Sequence, residues 1–207
     1  MNDLPDDHAM RLMAAREAVA RLGLLKPGAE PTIVTLLENR AGEHPRTAAT
    51  AWRRAGEQLS EEEKRMLGIR PNAFFSRQAL DELGEKGFAD PLRAHETTLL
   101  RATFVMFRHR NALSFRKVMN ENPRVRMAVR YDTFHHDSCD VCKSLHNTPV
   151  GADRGLFAPE GCTCLTAPHG LRLDADWLGP EREAGSGGRR PGAPTFLDRV
   201  RTFLPRV

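Results

Sequence analysis

Apolar residues recur at helical spacing over most of the first 120 positions, and alternate with polar ones over one clear stretch after them. Met10, Met13, Ala14, Val19 and Leu22 sit among charges at period 3.6, which predicts a helix over 6–22 with Gly23 as its stop. Lys26-Pro27-Gly28-Ala29-Glu30-Pro31 breaks the pattern as a loop. Thr32 is placed to cap a short helix with Ile33, Leu36 and Leu37 inward, and Pro45 opens a third around Ala48, Ala51, Trp52 and Ala55. Ser60-Glu61-Glu62-Glu63 has the form of a capping box starting a short helix to Leu67. Ser76 caps another, expected to run to about Glu85, with Gly87 ending it.

Asp90-Pro91 is a strong helix start, and no breaker follows until Asn120-Glu121-Asn122-Pro123. The run predicts a helix of about 30 residues, ~45 Å long. Leu92, Leu99, Met106 and Leu113 mark one apolar face; Leu100, Phe104, Phe107 and Val118 mark a second. So wide an arc predicts packing on two sides, which makes this helix the mechanical spine. Leu99→Asp and Phe107→Asp are both expected to unfold it. Arg101, Arg108 and Arg116 read as the remaining, solvated side, tolerant of alanine and a candidate for phosphate contact.

Val125, Met127, Val129, Tyr131 and Thr133 then alternate with Arg124, Arg126, Ala128, Arg130 and Asp132, a strand by its period of two. Cys162 to Pro168 is expected to return as its partner, a short β hairpin near the cysteines. Pro180 to Pro194 is a Gly-, Pro-, Ser- and Arg-rich linker. Beyond it Phe196, Leu197, Val200, Phe203, Leu204 and Val207 fall on one helical face, with Thr195 as cap. A segment so short needs a surface to cover: its own domain, a membrane surface or a groove on a partner. The fold class predicted is mainly α with a small, metal-stapled α+β module. It divides into a helical region (1–89), the spine helix with the cysteine module (90–178), a linker (179–194) and a C-terminal amphipathic docking helix (195–207).

Composition changes this picture little. With 28% charged and 40% hydrophobic residues in 207, the chain reads as an ordinary soluble protein without a membrane-spanning run. Its first residues, Met1-Asn2-Asp3-Leu4-Pro5-Asp6-Asp7, are no secretory signal, so a reducing, cytoplasmic origin is expected. The net charge of +4 is unevenly spread: residues 91–119 hold six basic and one acidic side chain, whereas 120–174 hold six and seven. The basic excess therefore lies on the spine and not around the cysteines, which weakens a nucleic-acid finger reading.

The candidate chemistry is in the cysteines. All four fall in two close pairs, Cys139 with Cys142 and Cys162 with Cys164. Buried hydrophobes or a redox pair are alternatives, but two close pairs are how a chain presents four thiolates to one Zn2+. Residues two apart on a regular strand point to opposite faces. Cys162 and Cys164 can therefore share an ion only if the backbone turns between them; otherwise His146 or His169 is the further ligand. His135, His136 and Asp137 raise a metal-dependent hydrolase, the weakest reading, because no motif for catalysis accompanies them.

Asp137-Ser138-Cys139-Asp140-Val141-Cys142-Lys143-Ser144-Leu145 and Gly161-Cys162-Thr163-Cys164 resemble the C-terminal motif of phage head morphogenesis proteins, the Mu-like minor head protein family. A basic helix containing Asn, here Arg108-His109-Arg110-Asn111, and a strand precede that motif. The likeness covers about Leu99 to Pro168. Where the family has His-Pro-x-Cys this chain has Pro159-Glu160-Gly161-Cys162, so the family's histidine is absent and Cys164 is its natural replacement. The resemblance implies a non-enzymatic, zinc-binding virion assembly protein. It would contact capsid or portal subunits and packaged DNA, form an oligomer, and act in the cytoplasm or in the virion. A cytoplasmic zinc-containing DNA-binding regulator is the alternative.

Overall fold

The computed structural model describes residues 7–39, 43–133, 138–151, 158–166 and 169–176. Helices come first: α1 (Asp7–Leu22), α2 (Glu30–Asn39), α3 (Pro45–Arg54), α4 (Glu61–Met66), α5 (Arg77–Asp81), a 3-10 turn at Glu85–Ala89, and the 31-residue α6 (Pro91–Glu121). β1 (Arg126–Asp132), the short α7 (Asp140–Ser144) and β2 (Gly170–Asp176) follow. The described chain is thus mainly helical with a small antiparallel sheet and a cysteine cluster.

Local chemistry accounts for most boundaries. Ser60 Oγ accepts from the Glu63 N–H at 3.2 Å, and the Glu63 carboxylate accepts from the Ser60 N–H at 2.8 Å, closing the capping box on α4. Ser76 Oγ caps α5 through the Ala79 N–H at 3.3 Å. Three expectations shift. α2 begins at Glu30 rather than after Thr32, and the Thr32 hydroxyl, now inside the helix, donates to Glu82. Asp90 makes no side-chain cap, leaving Pro91 as the local start signal for α6. α5 stops at Asp81, short of Glu85, because the next backbone groups pair with an earlier loop: the Lys26 N–H donates to Glu82 O at 2.8 Å and the Gly84 N–H to Leu24 O at 2.9 Å. Gly87 closes that junction, since an added Cβ would lie 2.1 Å from Leu24 O.

α6 packs along α1, α2 and α3. Ala14, Ala15 and Ala18 of α1 and Ala94 and Ala102 of α6 are at most 1% exposed, small side chains that let helices approach closely. Ile33, Phe75, Leu83, Leu99 and Val105 fill the same core. Helices before residue 90 therefore share one core with the first part of α6. A second, smaller core lies at the other end, where Ala112, Phe115, Val118 and Met119 meet Met127, Val129, Tyr131, Leu171 and Leu173.

The strand that pairs with β1 is β2 and not Cys162 to Pro168. Val129 faces Leu173 and Tyr131 faces Leu171, so the apolar positions of both strands share the face turned to α6. Arg130 Nε pairs with Asp174 at 2.7 Å, joining the strands by their polar positions. The other edge of β1 is lined by residues 147–150, with the Tyr131 N–H donating to Thr148 O at 3.1 Å and the Val150 N–H to Val129 O at 2.9 Å. The cysteine segments are thus inserted between two strands.

Candidate metal centre

Cys139 is the residue before α7 and Cys142 lies within it. Three residues apart at the start of a helix, the two side chains fall on one side of the turn. The second pair arrives on a turn: the Cys162 N–H donates to Pro159 O at 3.1 Å, and Gly161 takes a left-handed φ of 74°. Residues 162–164 are not a regular strand, so Cys162 and Cys164 are free to face the same point.

They do. The four sulfurs all lie within 4.8 Å of one another, close enough for the cysteines to hold a metal ion. Cys142 Sγ is 3.5 Å from Cys162 Sγ and 3.9 Å from Cys164 Sγ. Tetrahedral thiolates at a metal–sulfur distance of about 2.3 Å are separated by about 3.8 Å, so these two separations are compatible with one ion between the sulfurs. All four thiols are free of disulfides. The Cys139 N–H donates to Cys164 Sγ at 3.2 Å, tying the two halves together. Burial pushes the Cys139 thiol up, but N–H groups of Cys142 and Thr163 together with the Cys164 thiol outweigh it, bringing it to about 6. Burial, then the adjacent Cys162 thiol, pushes Cys142 strongly up; burial also raises Cys164, against the Cys139 N–H that lowers it. Sulfurs crowded this closely share a site as thiolates only with a cation between them.

The surrounding side chains correct the sequence expectations. Arg101 and Arg108 are 0% and 3% exposed and do not form a solvated face. Arg101 makes a two-pronged ion pair with Glu17 of α1, Nε at 2.9 Å and Nη2 at 2.6 Å, and its Nη1 donates to Cys164 O at 2.8 Å and Leu165 O at 3.2 Å. Arg21, one turn after Glu17, donates to Cys162 O. The carbonyls of the second cysteine segment thus go to arginines, which is why that segment forms no strand. Of the three arginines, Arg116 is exposed.

Phe107 is 51% exposed and does not belong to the packed second face. Leu100 and Phe104 instead line a cleft of about 820 Å³ with Cys139, Cys164 and Leu165. Neither histidine joins the sulfurs: the group that forms among the described residues is the four cysteines. His146 Nδ1 accepts from the Thr133 N–H at 3.1 Å, and buried His169 packs edge-on against Tyr131 with Nδ1 3.5 Å from Arg108. His135, His136 and Asp137, and Phe196, Leu197, Val200, Phe203 and Leu204 with the linker, lie outside the described residues.

Glu17 and Arg21 went unread in the sequence, where they look like an ordinary i,i+4 pair on a helix surface. A signal did exist on α6. Ala94, Thr98, Arg101, Val105, Arg108 and Ala112 recur at alternating spacings of four and three, and small residues flank the arginines. No protein-family model matches the chain, and no curated protein or solved structure matches it. Among the described residues no helix is long and apolar enough to cross a membrane.

Proposed function

We propose that the four cysteines hold one Zn2+ as a closed structural centre in a non-enzymatic assembly protein. The observation that carries this is the mutual approach of four free sulfurs within 4.8 Å. Zinc suits such a thiolate set: it is redox-inert and indifferent to geometry beyond a tetrahedron. Four protein ligands leave no open position for substrate, which is the arrangement of a structural and not a catalytic site. The segments joined, 138–144 and 158–166, have little core of their own, so the ion supplies the cohesion that apolar burial elsewhere supplies.

The biological setting is a phage or phage-like particle, in which the protein acts as a minor head component contacting capsid or portal subunits. Support for this comes from the motif in residues 137–145 and 161–164. A DNA-binding regulator is favoured less, because two of the three spine arginines turn inward. The test is co-expression with portal and capsid proteins from the same genome, followed by gradient sedimentation. The wild type is expected to sediment with portal or shells and Cys139→Ser to stay at the top. Wild-type protein that never co-sediments would refute the particle role.

A further inference from the structure

The spine arginine Arg108 has a job that its packing does not explain. It is 3% exposed, and among the described residues its Nε and Nη2 find no hydrogen-bond acceptor, while its Nη1 lies 3.5 Å from His169 Nδ1. A buried guanidinium with unanswered donors is costly, and proteins keep one where an anion answers it. Glu17, the nearby carboxylate, already gives both oxygens to Arg101. Among the described residues the other anionic groups whose charge acts on it are the Cys162 and Cys142 thiolates.

We propose that Arg108 is the counter-charge of the metal centre: a positioning residue that touches no ligand atom but stabilises the metal-loaded thiolate set through the low-dielectric interior. This rests on the metal reading above. A divalent ion on four thiolates is formally a dianion, and burying it requires nearby cations. Arg21 and Arg101 are bound to the carbonyls of Cys162 and Cys164, Arg108 lies one heptad beyond Arg101 on α6, and Glu17 is the acid among them. Of these four described side chains three are cations and one is an anion, a net positive surrounding for the dianion. Burial, opposed by Glu17 and aided by Arg101, holds the Arg108 pKa at about 10, with Cys162 and Cys142 drawing it upward. The same guanidinium is therefore a burden without the metal and an asset with it.

That reversal of sign is measurable. Zn2+ and Co2+ affinities of the full chain would be determined by competition with a chromophoric chelator for wild type, Arg108→Met and Arg108→Lys, and Tm measured with and without excess chelator. Arg108→Met is expected to bind metal about 10- to 100-fold more weakly. Arg108→Lys, which keeps the charge and changes the shape, should recover much of that loss. In chelator, the Tm of Arg108→Met should equal or exceed wild type. If wild type binds one metal per chain and Arg108→Met binds it as tightly, the counter-charge role is wrong while the metal centre stands. A Tm lowered by the same amount with and without metal would also overturn it, showing packing alone. Wild type that binds no metal would remove both. Should Arg108→Met fail to fold, Arg108→Lys and Arg108→Gln decide: equal affinity in the two would contradict a role for charge.

Discussion

Arg101 ties the cysteine module to the helical body. It is fully buried, and it holds a carboxylate from α1 with one edge and two carbonyls from the second cysteine segment with the other. Removing one partner of such a pair strands the other, so Glu17→Ala and Arg101→Met are each expected to cost about 3–5 kcal/mol in urea unfolding, with a strong positive coupling in the double mutant. The two hydrophobic substitutions on α6 should part company: Leu99→Asp, at 3% exposure, unfolds the protein, while Phe107→Asp, half exposed, costs less than about 1 kcal/mol. Once metal is chelated, Cys139 should be the first thiol alkylated near neutral pH, since its hydrogen bonds lower it to about 6, whereas burial raises Cys142 and Cys164. Peptide mass mapping at short times checks this order. Legibility at this scale was uneven for a physical reason. Cysteine spacing reports metal chemistry directly, because ligands must come in reach of one ion. An arginine's direction does not follow from its charge; it depends on a partner far away in sequence, here Glu17.

The elements were more legible than their partners. Helix starts are fixed by neighbours within one turn, which is why Ser60, Ser76 and Pro45 could be read and were found in place. Where a distant segment competes for the backbone, the local pattern fails: α5 ends at Asp81 because the 24–26 loop takes its next hydrogen bonds. The β2 strand is weakly marked in the sequence: Leu171, Leu173 and Ala175 alternate with Arg172, Asp174 and Asp176, but none of them is β-branched or aromatic. The α4 capping box provides a test. Ser60→Ala is expected to lower stability by about 1 kcal/mol. The Ser60 N–H, then Arg77 and the Ser60 hydroxyl, hold the Glu63 carboxyl at about 2. A carboxyl depressed in the folded state binds fewer protons than in the unfolded one. Its contribution is present in full above the ordinary carboxylate range and fades as pH falls through that range toward about 2. The Tm difference between wild type and Glu63→Gln should therefore shrink steadily between about pH 6 and about pH 2.5.

At the scale of the molecule, one long helix serves two cores, and the cysteine segments, inserted in sequence between the strands of the second, reach back along it to Arg101. Zinc would close these segments on themselves, while Glu17, Arg21 and Arg101 fasten them to α1 and α6. Residues 194–207 are expected to add docking and not stability: their deletion should leave metal content and Tm unchanged and abolish incorporation into the partner assembly. A truncated chain that assembles normally, or that melts several degrees lower, would contradict that role. The claim on which the rest depends is that Cys139, Cys142, Cys162 and Cys164 share one ion. Elemental analysis of the protein as purified, with thiols counted after denaturation in chelator, tests it most directly. About one zinc per chain, with all four thiols reduced and the metal lost in Cys139→Ser, is the expected result. A protein without metal whose cysteines are joined as disulfides would contradict it.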